Sequence, residues 1–514
     1  MSGLHQRAIT RRVEDEERKG RKDRRDGREI FAVAVALAVA VAGRPLAQSA
    51  ATDARFEQLV TVVSQAMEKY RVPGVALGVV HEGRAMTRGL GVTSLEDPRP
   101  VTAGTVFPIA SISKTFASTA IMRLVEQQKV DLRAPVRKYL PDFRVEDETI
   151  SREVTVWNLL THSSGWEGQI APADRGDETL ARFVDGMMRT NMQLAPPGAA
   201  WSYNNAGFSV AGRLIEVVTG KTIGAALGDL VFRPLRLART VTSPREMMTY
   251  PFALGHTGGS TGTPAIVRPF AYSTSVTAGG VSTSLDDLLA YAQFHLGNGT
   301  VPGGEPLLSR STLDQMRTPQ LQKQGTDDEM GIGWHLRTVG GLRTAAHGGT
   351  LNGHVLLLEI VPERQFAVAI LTNTSNGWRL VQDVERAALQ SYLGADFRPN
   401  QAIAHRGLVE TLPRVQPLAV QPSLTPYVGR YVRPMVTVTI SDAGGHLVIR
   451  QEPQERTAGS AAPTSMPVTF YGPDRAVVTQ GSDEGQSVEF VRGPGGAVDW
   501  VRIVGRIAKR ERVS

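Results

Sequence analysis

Phe107-Pro108-Ile109-Ala110-Ser111-Ile112-Ser113-Lys114-Thr115-Phe116-Ala117 reads as a turn entering a helix, with a serine and a lysine in its first turn. Residues three apart on a helix share a face, so Ser111 and Lys114 point the same way. A serine hydroxyl attacks a carbonyl only when a neighbour takes its proton, and an adjacent amine lowers that cost. The helix N-terminus adds main-chain N–H groups and a positive dipole end where an acyl oxyanion would form. A lone Ser-x-x-Lys fits a capped helix and an exposed lysine equally well. The rest of the chain has to decide.

At 514 residues the chain is too long for one small core, and its 41% apolar and 21% charged residues are those of a soluble globular protein. Of the formal net charge of +7, residues 1–47 contribute +4 through 11 Lys/Arg against 7 Asp/Glu. No basic stripe with interleaved aromatics remains to bind nucleic acid. The absence of cysteine excludes disulfides, thiol nucleophiles, Cys-ligated zinc and a lipidated N-terminal Cys. Ile30 to Gly43 is an unbroken apolar run between an Arg-rich segment and the small residues after Arg44-Pro45. It is short for a spanning helix and right for the hydrophobic part of an export signal. Residues 1–50 are therefore expected to send the chain to the periplasm or outside the cell. The competing expectation is an inner-membrane anchor at residues 30–43.

Helical spacing (Phe56, Leu59, Val60, Val63, Met67) ends at Pro73-Gly74, and Val75–Val80 with Ala85–Val92 predicts a hairpin. Ile121, Leu124 and Val125 form the buried stripe of the Ser111 helix. Pro196-Pro197-Gly198 is a loop that delivers Trp201-Ser202-Tyr203-Asn204-Asn205, ahead of a helix closed by Gly220. His354–Val361 and Gln365–Leu371 predict a second hairpin, and Trp378–Leu393 a closing helix. Such irregular alternation predicts an α+β unit over residues 51–395, an antiparallel sheet with helices around it. Residues 396–422 have linker composition. Short alternating runs such as Val436–Ile440 and Val488–Val491 then predict an all-β domain over 423–514, shaped as a small barrel.

Two landmarks follow Ser111 and Lys114: Tyr203-Asn204-Asn205 before a helix, and His347-Gly348-Gly349 before the apolar hairpin. In that order, Ser-x-x-Lys, Tyr-x-Asn and Lys/His-x-Gly resemble the β-lactamase/penicillin-binding-protein superfamily of serine hydrolases. The nearest branch holds class C β-lactamases, D-Ala-D-Ala carboxypeptidases, D-aminopeptidases and related esterases. Leu159-Leu160-Thr161-His162-Ser163-Ser164-Gly165 and Ala278-Gly279-Gly280-Val281-Ser282-Thr283 are similar to flanking stretches of that family. The resemblance covers residues 53–394 and implies a sheet flanked by helices plus an all-helical subdomain.

The resemblance implies roles too. Ser111 would be acylated, with Lys114 and Tyr203 sharing the proton traffic. Asn205 would hold the substrate's acyl-amide group, and His347 and Gly349 would line the substrate. The N–H groups of Ser111 and Thr350 would bind the oxyanion. His347 is a departure, because β-lactamases of this branch usually carry Lys there. A neutral histidine reads a substrate carboxylate less well, which shifts the expectation from β-lactam resistance toward a peptidase or esterase. The expected substrates are a small peptide, an ester or a β-lactam, with no cofactor, no metal and no nucleic acid. Membrane contact is expected only through an uncleaved N-terminal segment. The alternative is a sensor that acylates without turnover. His162 is expected to shape its loop. Gly258-Gly259-Ser260-Thr261-Gly262 matches Gly-x-Ser-x-Gly by chance, lacking the strand and helix that motif needs. The β domain would cover the cleft and restrict substrate length, bind a partner, or merely stabilise the chain.

Overall fold

The spacing ahead of Pro73 forms α1 (Ala54–Tyr70), which turns Phe56, Leu59, Val63 and Ala66 inward. Glu57 sits in its first turn and Lys69 in its last, each complementing the helix dipole. The computed structural model describes residues 53–258, 262–270, 272–396, 416–454, 464–481 and 483–511. The expected export segment, most of the expected linker and Gly259 to Thr261 of the chance motif lie outside them. Ala54–Ser514 forms one compact unit. No helix among the described residues is long and apolar enough to cross a membrane.

The sheet is built from β1 (Gly74–His81), β2 (Arg84–Gly91), β3 (Leu321–Gln322), β4 (Glu329–Met330), β5 (His335–Val339), β6 (Leu342–Leu351), β7 (His354–Val361) and β8 (Phe366–Thr372). All pairings are antiparallel, in the order β2-β1-β8-β7-β6-β5-β4-β3. The strands β7 and β8 are buried throughout because both faces are covered, so they read as continuous apolar runs rather than alternating ones. The edge strand β2 has no fully buried residue.

The helices that frame the sheet are α2 (Ser113–Glu126), α3 (Asn205–Thr219), α4 (Val276–Gly279), α5 (Leu285–Leu296) and α6 (Trp378–Leu393). Helices α1 and α6 cover one face, packing Leu59, Val63, Val384 and Leu389 on Leu77, Val79, Val368 and Ile370. On the other face Leu285, Leu288 and Leu289 of α5 join Ala369 and Leu371 to Phe116 and Ile121 of α2. Each such Leu or Phe contributes about 1.5–3 kcal/mol by leaving water. This is the expected α+β arrangement.

The expected barrel closes from eight strands: β9 (Gly429–Arg433), β10 (Val436–Asp442), β11 (Leu447–Pro453), β12 (Thr464–Gly472), β13 (Arg475–Val478), β14 (Ser487–Arg492), β15 (Val498–Ile503) and β16 (Arg506–Arg510). Pairing of β9 with β16 at Tyr431 and Arg510 completes the ring and leaves no free edge. Tyr431, Ile449, Phe470, Phe490 and Val501 fill its core. Leu418 lies on the barrel, its N–H donating to Phe470 O at 2.9 Å. The barrel docks on the loop that leads to Tyr203. Val491, Trp500 and Ile507 pack on Leu194, Ala195 and Ala200, and Trp500 Nε1 donates to Leu194 O at 2.8 Å.

Candidate active site

Ser111 lies in a single 3-10 turn, Ala110–Ile112, immediately ahead of α2. Ala110 just before it has φ +46, a left-handed conformation that costs a non-glycine residue about 1–3 kcal/mol and is retained where the surroundings enforce it. The enforcement is visible on both sides. Ile109 N–H donates to Val281 O at 3.0 Å. From the other side β6 approaches so closely that a Cβ on Gly349 would stand 2.4 Å from Ile109 O. Gly349 therefore acts through the backbone contact that only glycine permits. Thr350, one residue on, is exposed and pairs with Val355 of β7.

Lys114 is wholly buried, and its Nζ is 3.2 Å from Ser111 Oγ. The same nitrogen donates to Ala278 O of α4 at 2.6 Å. Burial, then the nearby Arg506 guanidinium, holds the amine far below the usual lysine range. Burial favours the uncharged form of this amine, and that form carries a lone pair that can take a proton.

Tyr203 is equally buried, and Lys114 Nζ lies 4.8 Å from its ring centroid. Burial pushes its phenol up, with the Ser111 hydroxyl and Arg506 pulling the other way. The phenol makes no hydrogen bond of full geometry among the described residues. The two shifts run in opposite directions, the phenol toward its protonated form and the amine toward its uncharged one.

Asn204, not Asn205, caps α3, accepting from Gly207 N–H at 2.7 Å. That leaves Asn205 Oδ1 buried without a partner among the described residues, an acceptor available to a substrate N–H. His162 has φ +56 and accepts from Asn204 N–H at 2.9 Å through Nδ1. Its ring lies 4.5 Å from that of Tyr203. It shapes the loop as expected, and it also backs the phenol.

His347 of β6 donates from Nδ1 to Gly348 O at 2.7 Å. Burial, then the basic side chains of Lys114 and Lys323, lower it to about 3. No acidic neighbour charges it, so at neutral pH it reads no carboxylate by charge. Trp334 is buried against His295 and belongs to the core, not the cleft.

Arg506, at the start of β16, is the residue that motif reasoning misses. It is 7% exposed, and its Cζ stands 5.7 Å from the Tyr203 ring. Burial, then Arg433, lowers it to about 10, so it remains charged at neutral pH. Its Nε has no hydrogen-bond partner among the described residues. Buried Lys323, whose Nζ is 5.0 Å from the Trp201 ring, adds a second cation. One signal was available: an arginine inside the apolar run Val501-Arg502-Ile503-Val504-Gly505-Arg506-Ile507 has to be buried with a purpose.

His162, His335 and His347 bring nitrogens within 4.8 Å of one another. They do not fit a metal ion. His162 Nδ1 already accepts a main-chain N–H, so its Nε2 carries the proton of the neutral ring and offers no lone pair. Arg506, charged at neutral pH, would also repel a cation there.

A family model described as beta-lactamase matches residues 59–392. Penicillin-binding protein 4 of Amycolatopsis lactamdurans is 32% identical over 347 residues, which is 66% of this chain and 89% of that one. Esterase EstB of Burkholderia gladioli is 34% identical over 194 residues, 35% of this chain and 49% of its own. The solved structure of SurE with D-Leu superposes with a TM-score of 0.69 at 24% identity, covering 89% of this chain and all of that one. That likeness is one of fold, and it extends beyond the family-matched span.

Proposed function

The chain belongs to the β-lactamase family, and from that membership we propose that it is a serine hydrolase working through an acyl-enzyme on Ser111. Its substrates in this proposal are amides or esters that carry a carboxylate near the scissile bond. The observation that carries the mechanism is the buried Lys114 amine 3.2 Å from Ser111 Oγ, its pKa pushed down by that burial. Lys114 takes the serine proton as Oγ bonds to the carbonyl carbon. The N–H groups of Ser111 and Thr350 receive the oxyanion, each such donor being worth about 3 kcal/mol. Collapse breaks the C–N or C–O bond, and the proton passes from Lys114 to the leaving group by way of the Tyr203 phenol. Water then attacks the ester in the same manner and frees Ser111.

Arg506 supports the substrate class. It is a buried, charged guanidinium with an unused donor beside Tyr203, and such a group is satisfied by a carboxylate. It supplies the permanent positive charge that His347 lacks. Peptides with a free terminal carboxylate suit it best, and the apolar run Ile30 to Gly43 supports export to where such peptides are exposed.

Mass spectrometry after incubation with a fluorophosphonate, a penicillin and a D-Ala-D-Ala peptide tests the proposal. The expected result is added mass on Ser111 that leaves again with the peptide. One stoichiometric adduct that never leaves identifies a sensor instead. No adduct on Ser111 from any probe rejects acyl-enzyme chemistry.

A further inference from the structure

Residues 201–204 form neither helix nor strand, so the main-chain groups around Tyr203 must find partners outside regular structure. Trp201 N–H donates to the Gln324 side chain at 3.1 Å, and Ser202 N–H to His162 O at 2.9 Å. Asn204 N–H goes to His162 Nδ1, and the barrel adds three further bonds. Tyr203 N–H donates to Gly505 O at 2.8 Å, in the turn between β15 and β16. Ser202 Oγ accepts from Ile507 N–H at 3.3 Å. Trp201 O accepts from Arg502 Nη1 at 3.3 Å.

Arg502 does more than this one bond. Its other amino group donates to Gln324 O, and Gln324 in turn holds Trp201 N–H and Ala199 O. Nε reaches Glu489 at 3.2 Å across the barrel strands, so the charge is matched inside the barrel. The guanidinium also lies 5.3 Å from the Trp201 ring, which carries Lys323 at 5.0 Å. With 1% of its surface exposed, it is a planar fork joining two catalytic-domain loops to β15. A lysine, a single point donor, cannot reproduce that fork.

We propose that the barrel is part of the catalytic apparatus, and that Arg502 is the positioning residue through which it holds Tyr203 against Ser111 and Lys114. The proposal rests on the hydrolase reading above. Arg502 touches no reacting atom. It fixes the two loops whose spacing sets the place of the phenol, and it keeps water away from the Lys114 amine.

The test uses the full chain and a small neutral ester, too small to reach Arg506. Fluorophosphonate labelling of Ser111 counts the folded active sites, so kcat is read per competent serine. In Arg502→Gln, kcat should fall about 10-fold or more with KM within about twofold, as expected when a group is misplaced rather than lost. Arg502→Lys should recover only part of that rate. The acid limb of the labelling rate should move to higher pH in both, because water near Lys114 raises its pKa. Gln324→Ala keeps the main-chain O that Arg502 holds but removes the side-chain bonds to Trp201 N–H and Ala199 O; it should act in the same direction and serves if Arg502→Gln does not fold. A kcat within twofold of wild type in the folded variants, with the acid limb unmoved and only the melting temperature lowered, would overturn the proposal. Failure of the wild type to label at Ser111 would instead reject the hydrolase reading, and this proposal with it.

Discussion

Two groups of buried ionisable side chains lie on opposite faces of the sheet. Beneath α6, Arg337 pairs with Glu385 and stands 3.4 Å from Glu359, all three at most 3% exposed. Glu385 is pushed well above the carboxylate range by burial, offset by Arg337, with nearby Glu359 adding to the rise. Arg337 is held above its ordinary value by the two carboxyl groups, which outweigh its burial. The other group is Lys114, His162, His347 and Arg506, every one pushed down, with burial the leading cause. The first group contains its own counter-charges and needs nothing more. The second is basic, with Glu167 near Arg506 as an acidic neighbour, and Arg506 stays charged. It leaves Arg506 Nε without a hydrogen-bond partner among the described residues.

Two substitutions separate these roles, and they should have the largest effects. Lys114→Met removes the base and should lower kcat by about 10⁴-fold or more. The same change replaces a desolvated amine by an apolar side chain of similar size, so urea stability should hold or rise. Arg337→Met should do the reverse. It strands two buried carboxyl groups and should cost about 3–5 kcal/mol, while kcat per titratable Ser111 stays within about twofold. Equal losses of stability from both variants would break the distinction.

Arg506→Gln comes next in size. A charge-assisted hydrogen bond contributes about 1.5–3 kcal/mol, so kcat/KM on a peptide with a free carboxylate should fall about 10- to 100-fold. A neutral ester should be far less affected. The variant also shifts the pH profile in a fixed direction. The Lys114 pKa is depressed, so the working amine exists above that pKa and activity is lost as pH falls through it. Arg506 contributes to the depression. Without it the pKa rises, and the acid limb of kcat/KM on the neutral ester should move to higher pH. An unmoved limb would mean that Arg506 does not act on Lys114.

The difference between the two groups also explains what could be foreseen. Ser111 and Lys114 are joined by local geometry, three residues apart at a helix start, and the order of the three motifs was plain. The sheet was legible because apolar runs bounded by turns record burial. Partners distant in sequence were not. Arg506 reaches Tyr203 across some three hundred residues, and periodicity says that a strand is buried without saying against what. The cap on α3 fell to Asn204 because either Asn suits such a position, and only the path of the loop chooses. The state of His347 was open because its charge depends on burial and on neighbours distant in sequence, and these prove to be the basic side chains of Lys114 and Lys323. The barrel was expected to be a cover or an appendage. It supplies hydrogen bonds to the loop that carries the phenol, a contact that no sequence pattern announced.

The smallest expected effect tests the self-contained group itself. If Glu385 is held protonated by its surroundings, Glu385→Gln substitutes one neutral donor–acceptor for another of the same shape, and stability at pH 7 should change by no more than about 1 kcal/mol. Its consequence lies in the pH dependence. A carboxyl whose folded pKa is raised contributes stability that is fully present below the unfolded value, 4.5 for this group, and lost as pH rises through the raised folded value. Over that window the wild type should lose stability with pH, and the Gln variant should lose less. Urea midpoints measured from pH 5 to 8 on both proteins read the difference directly. Parallel curves would mean that Glu385 carries no proton and that Arg337 faces two full negative charges. In that case Glu385→Gln would relieve a repulsion between carboxylates as well as weaken an ion pair, and its effect at pH 7 would no longer have to be small.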